Sequence, residues 1–132
     1  YKVVLTTPQT PDTWLQMRFA ANGTINTGIY YCRALTQNNG AGTIESTQTV
    51  GDDRIFIGRV GTVNTLPQIS EFTIDNPFVN GEKSVSGTFN GWYLRTGFFA
   101  GWYTTNASFD GLAIMPQSGT FGGTVNVYGI TK

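Results

Sequence analysis

The chain has 132 residues and a mass of 14.4 kDa, with 8 Lys plus Arg balanced by 8 Asp plus Glu and no histidine. A neutral chain that is 12% charged and 39% apolar lacks both the cationic surplus of a sequence-neutral nucleic-acid binder and the high charge of a disordered segment. The missing histidine removes Ser-His and Cys-His nucleophile systems and most zinc sites. The length suits one domain spanning 1–132. About twenty threonines, 17 glycines and 14% aromatics favour half-buried pleated strands joined by tight turns, so the expected fold class is all-β.

In chain order, Lys2–Thr6 reads as a strand, and the two prolines of Thr7–Asp12 make that stretch a turn. Trp14–Phe19 alternates, with Leu15, Met17 and Phe19 on one face and Gln16 and Arg18 on the other. Trp14 is expected to anchor a sheet edge. Asn22-Gly23 reverses the chain into Gly28–Leu35, and the two strands are expected to form a hairpin. Cys32 lies inside that apolar run and reads as a buried structural thiol. Thr36–Asp53 is polar and glycine-rich, with only a short strand expected around Thr43–Thr49. Further strands are expected at Arg54–Val60, Ile69–Asp75, Ser84–Phe89, Trp92–Leu94, Gly97–Thr104, Phe109–Met115 and Thr124–Ile130. Asn-Gly pairs at 22, 39, 80 and 90 divide them. Without crossover helices such strands must pair mainly antiparallel and cover their apolar faces as two sheets. The expectation is therefore an antiparallel β-sandwich of jelly-roll type, with a closed barrel as the alternative. No apolar run approaches the length of a membrane-spanning helix, so no membrane insertion is expected.

Little of the chain is equipped for chemistry. The carboxylates are Asp12, Glu45, Asp52, Asp53, Glu71, Asp75, Glu82 and Asp110, scattered rather than paired as a glycosidase requires. Glu71 stands inside a strand and is expected to line its solvent face. Asp52-Asp53 could offer oxygens to Ca²⁺, but the spaced ladder of a calcium loop is missing and a turn is the better reading. Phosphate-binding loops, zinc spacings and nucleophile elbows are absent from the sequence. No catalytic residue, metal site or cofactor is expected.

The aromatic residues say more. Trp92, Tyr93, Phe98, Phe99, Trp102 and Tyr103 fall within twelve residues. Neighbours on a strand point to opposite faces, so Trp92-Tyr93 and Trp102-Tyr103 must each send one ring away from the face the other buries. Such rings either complete a covered outer layer, fill a contact between subunits, or stack on a sugar with Asn and Thr supplying hydrogen bonds. Asn90, Trp92, Tyr93, Phe98, Phe99, Trp102 and Tyr103 are the candidate contact residues. The repetition of Gly-Trp-Tyr at 91 and 101 suggests a hairpin that holds the two units near each other. Asn22-Gly23-Thr24 and Asn106-Ala107-Ser108 match the glycosylation sequon, a motif common by chance in so Thr-rich a chain.

Two ends of the chain carry a resemblance. The run Val4-Leu5-Thr6, Trp14-Leu15-Gln16-Met17-Arg18-Phe19, Asn22-Gly23 and Gly28-Ile29-Tyr30-Tyr31 resembles a recurrent pattern in structural proteins of tailed bacteriophages, where a Leu-x-Leu-Arg-Phe strand leads through a glycine turn to a tyrosine-rich strand. The closing run Leu112–Ile130, with Pro116-Gln117-Ser118-Gly119, Gly123-Thr124 and Tyr128-Gly129-Ile130, is similar to the last strand pair of the same proteins. Together they cover roughly a third of the chain, and Ala20-Ala21 departs from the Ser-x-Asp/Asn turn of that pattern. The resemblance implies a virion component of jelly-roll character, of the capsid-decoration, cement or head-fibre kind, with no catalytic residues to carry over. Its expected partners are other virion proteins and further copies of itself, a trimer being favoured. Near-zero net charge agrees with association. The alternative is the receptor-binding domain of a tail fibre or tail spike, holding host-surface glycan through the aromatic segment.

Overall fold

The computed structural model describes residues 1–7, 13–28, 30–38, 42–60, 67–91 and 95–130. Among them are eleven strands: β1 (Lys2–Thr7), β2 (Thr13–Ala21), β3 (Thr24–Ile25), β4 (Tyr30–Asn38), β5 (Thr43–Asp52), β6 (Ile55–Val60), β7 (Gln68–Asp75), β8 (Lys83–Gly91), β9 (Arg95–Tyr103), β10 (Gly111–Pro116) and β11 (Thr124–Tyr128). They form a seven-stranded sheet in the order β11-β1-β7-β8-β9-β4-β5 and a smaller sheet in which β2 pairs with β10 on one side and with β3 and β6 on the other. Every pairing is antiparallel. The protein is all-β, and its two sheets enclose one apolar core in a sandwich-like arrangement.

Period-two patterning builds that core. Val3 and Leu5 of β1, Phe72 and Ile74 of β7, Val85 and Phe89 of β8, and Cys32 and Ala34 of β4 supply the inner face of the large sheet. Leu15, Met17 and Phe19 of β2 face them with Ile55 and Ile57 of β6, all fully enclosed. Phe19 stacks on Phe109 at 5.0 Å and meets Tyr103 edge-on at 5.9 Å, so the rings interlock across the sheets. Two glycines of β9 make this closeness possible. A Cβ at Gly97 would stand 2.6 Å from the Phe89 ring, and one at Gly101 would stand 3.0 Å from Ile55. Trp14 packs beside β6 against Phe56 and Phe89, with Arg59 over its ring.

Two expectations are overturned. Asn22 and Gly23 do turn the chain, with φ of 50° and 75°, but of the returning chain only the two residues of β3 pair with β2. The Tyr30 strand then crosses to the large sheet, where it lies between β9 and β5. The exchange is secured at Asn26, whose side-chain oxygen accepts from the Gly28 N–H at 2.7 Å and the Tyr103 hydroxyl at 2.6 Å. The Phe19 N–H also donates to the Tyr30 hydroxyl at 2.9 Å, filling a backbone donor that a longer hairpin would have paired. The second correction concerns Gly91, the described residue of the first Gly-Trp-Tyr unit, and its distance from the second. Gly91 faces Arg95, whereas Trp102 faces Ser84 at the far end of the same ladder. Seven residues of extended β9, roughly 23 Å, separate those positions. A third difference is one of length: β5 runs from Thr43 to Asp52 and pairs with β4 throughout. The strand expected at Trp92–Leu94 lies outside the described residues.

Candidate functional site

The outer face of the large sheet gathers the exposed aromatic and aliphatic side chains. Strand register sets out four ranks across β8, β9, β4 and β5. They are Asn90–Thr96–Gln37–Ile44, Thr88–Phe98–Leu35–Ser46, Ser86–Ala100–Arg33–Gln48 and Ser84–Trp102–Tyr31–Val50. Side chains directly opposite on neighbouring strands share a face and touch. Phe98 is 69% exposed, and Leu35 beside it and Ile44 and Val50 on β5 are more exposed than covered. Trp102, 41% exposed, stacks on Tyr31 with ring centroids 5.5 Å apart and planes 11° from parallel. Arg33 is the one charged side chain in these ranks; the others are Thr, Ser, Asn, Gln and apolar residues.

Phe98 forms a ridge between two shallow grooves. The groove toward β5, about 370 Å³, is lined by Arg33, Leu35, Ser46, Gln48 and Ala100. The groove toward β7, about 390 Å³, is lined by Ile69, Glu71, Thr88, Asn90 and Thr96. Glu71 is on the solvent face and pairs with Lys2 at 2.8 Å, both half-exposed, an arrangement that contributes little to stability.

The candidates from the sequence divide by face. Phe98, Trp102 and Asn90 stand on the outer surface. Phe99 and Tyr103 are 3% and 1% exposed and belong to the core, where Tyr103 touches Tyr30, Phe19 and Phe109. Neither ring can reach a ligand or another subunit. Trp92 and Tyr93 lie outside the described residues. Tyr31, Leu35, Ile44 and Val50 were not singled out from the sequence, yet they complete the patch. Tyr31 and Leu35 had a readable signal, being out of phase with Tyr30, Cys32 and Ala34. Ile44 and Val50 had none, because β5 buries no face against which phase can be judged.

Other ionisable groups are occupied elsewhere. On the small sheet and its flank, Arg18 donates to Asp53, and Arg54 donates to both Asp53 and Asp52, at 3.1 Å in the latter case. Burial tends to raise the Asp53 carboxyl, but hydrogen bonds with Asp52 and Arg54 and the two guanidinium charges outweigh it and hold the group below the usual carboxylate range. These carboxylates serve arginines and close the turn after β5; the Asp53 N–H donates to Asp52 at 2.7 Å. Cys32 is enclosed, its thiol pushed up to about 11 by burial, which leaves it without thiolate character at neutral pH. Lys83 is buried beside Phe109 and donates to the Val79 and Gly81 carbonyls.

Comparison of the chain with protein-family models, with curated proteins and with solved structures found no match.

Proposed function

We propose that this chain is a structural component of a bacteriophage virion, of the capsid-decoration, cement or head-fibre kind, that acts by contacts between subunits and not by catalysis. The observation that carries the contact role is the outer face of the large sheet. Exposed Phe98, Leu35, Ile44, Val50 and the Trp102–Tyr31 stack lie together there with a single charge among them. The Arg33–Ala100–Gln48 rank divides these side chains into two apolar groups, and exposed apolar side chains with so little charge among them are what an interface core requires. The virion setting rests on the resemblance at the two ends of the chain. The jelly-roll reading draws on the chain's exchanges between sheets at β1–β2, β3–β4, β5–β6, β6–β7, β9–β10 and β10–β11, although β7–β8–β9 is a plain meander.

Sedimentation velocity across a concentration series tests the contact role. A trimer that Phe98→Lys or Leu35→Lys converts to monomer, with the thermal midpoint unchanged, is the expected result. A chain that stays monomeric at high concentration and does not attach to purified capsids would defeat it. A second reading has its own observation: the Phe98 ridge stands between grooves whose mainly apolar lining includes Asn90, Thr96 and Thr88 on one side and Ser46 and Gln48 on the other. An aromatic face flanked by directional hydrogen-bond partners suits a sugar ring. Glycan-array binding lost on Phe98→Ala with the fold intact would establish receptor recognition in place of subunit contact.

A further inference from the structure

The sandwich is open along one side. β11 is the terminal strand of the large sheet and β10 that of the small one. Between them lies an apolar cleft of about 470 Å³, room for roughly fifteen waters at ~30 Å³ each. Val125 and Val127 sit opposite the enclosed Leu5 and Val3 and so share the inner face of the large sheet. They are nevertheless 47% and 55% exposed, because the small sheet ends before it covers them. Leu112 and Ile114 of β10 and Phe121 line it too, Tyr1, Phe78 and Phe109 close one end, and Asp110 is its one charged side chain.

Among the described residues, the backbone groups along both rims that face the cleft have no backbone partner. The Gln117 N–H donates to the Trp14 carbonyl at 2.8 Å, in register with the β2–β10 ladder. Alternation in an antiparallel pair therefore turns the odd-numbered residues of β10 toward β2 and the N–H and C=O of Leu112 and Ile114 toward the cleft. Tyr1 and Ile74 exchange both of their bonds, at 2.8 and 2.9 Å. The even-numbered residues of β1 consequently pair with β11, which leaves the backbone groups of Val125 and Val127 pointing outward.

We infer that this cleft receives one extended strand from another polypeptide, added to the free edge of β10 and carrying uncharged apolar side chains at alternate positions that cover Val125 and Val127. An edge of unpaired N–H and C=O groups demands a strand rather than a helix or a small apolar molecule. The small sheet is short at the place where the inner face of β11 is bare, so a single added strand satisfies the backbone and the side chains together. A second copy entering through its own β10 does not meet that need, since twofold pairing would bring both overhanging β11 strands beneath the same pair of edges. The inference is independent of the outer-face contact, which lies on the opposite surface of the sheet.

The test is selection from two displayed libraries of ten-residue peptides against the whole chain. One alternates Val, Ile, Leu or Phe with Thr, Ser or Asn; the other has the same composition without alternation. Binders are expected from the alternating library alone. They should slow hydrogen exchange at the Leu112 and Ile114 amides and lose at least tenfold in affinity for Ile114→Pro, which removes a donor that β2 does not use. Val127→Asp, at an exposed position, is the companion variant should the proline disturb folding, and the same loss is expected. Equal enrichment from both libraries, no enrichment, or binders that leave those two amides unchanged would overturn the inference. Self-association of the free chain that protects the same amides would overturn it in favour of a second copy.

Discussion

The two faces of β9 differ more than any two elements of the protein. Phe99, Gly101 and Tyr103 belong to the buried core, while Phe98, Ala100 and Trp102, each one residue away, belong to the exposed outer face. The same residue type thus has opposite uses according to parity alone. On the inner face an aromatic ring holds the two sheets together; on the outer face it is available for an encounter. Tyr103→Ala breaks this comparison most severely. It deletes a ring in contact with Phe19, Tyr30 and Phe109 and the hydroxyl that donates to Asn26. A loss of about 3–5 kcal/mol in denaturant unfolding is expected, the range for large aromatic truncations in cores.

Crowding on the inner face offers the next test. Gly97→Ala places a Cβ 2.5 Å from the Leu35 carbonyl oxygen and 2.6 Å from the Phe89 ring. Overpacking of this kind costs about 1–3 kcal/mol. Gly122→Ala, which meets nothing within 4 Å, should leave the unfolding midpoint where it was. Equal effects at the two glycines would show that the inner face of β9 is looser than its geometry states.

Parity was also the part of the fold that could be read without coordinates. Leu15, Met17 and Phe19, and Phe72 and Ile74 against Glu71 and Thr73, announce their faces by alternation, and the opposed directions of Trp102 and Tyr103 follow from adjacency. Partnership was not readable. Alternation says which way a side chain points but not which strand lies beside it, so the joining of β4 to β9 and of β1 to both β7 and β11 left no local trace. The expected hairpin failed for this reason: Asn22-Gly23 specifies a reversal, while the interring contacts and the Asn26 hydrogen bonds decide how far the returning chain stays with β2. β5 was expected to stop at Thr49, three residues short of its end at Asp52, because a polar edge strand has no buried face to set a period. The candidate site inherits the same split. Phe98 and Trp102 were legible as outward rings, but the company of Ile44 and Val50 exists only through register.

Charge is also distributed unevenly. The Arg18–Asp53–Arg54–Asp52 network joins the small sheet to the end of β5, whereas the four ranks around Phe98 hold only Arg33. Because the Asp53 carboxyl is held low in the folded chain, its contribution is complete above the unfolded value near ~4 and is lost as pH falls through the folded value. Asp53→Asn should therefore lower stability at neutral pH and flatten the acid limb of the stability profile. The network is partly exposed, so the effect is about 1 kcal/mol or less. An acid limb unchanged in the variant would remove this network from the account.

The smallest expected effect on folding is the most informative about function. Phe98→Ser takes a ring from the outer face where it is 69% exposed, so the unfolding free energy should move by no more than about 0.5 kcal/mol, the range of surface substitutions. Burial of Phe98 in a subunit contact predicts a second result that burial in the core would not. The oligomer should weaken at least tenfold in sedimentation while the melting of the isolated subunit is unchanged. Substituting the inward neighbour, Phe99→Ser, should do the reverse and unfold the subunit before any interface can be measured. A large folding loss at Phe98 would place it in a structural layer and break the distinction between the faces. Unchanged folding with unchanged association would leave the patch idle and remove its claim to be the working surface.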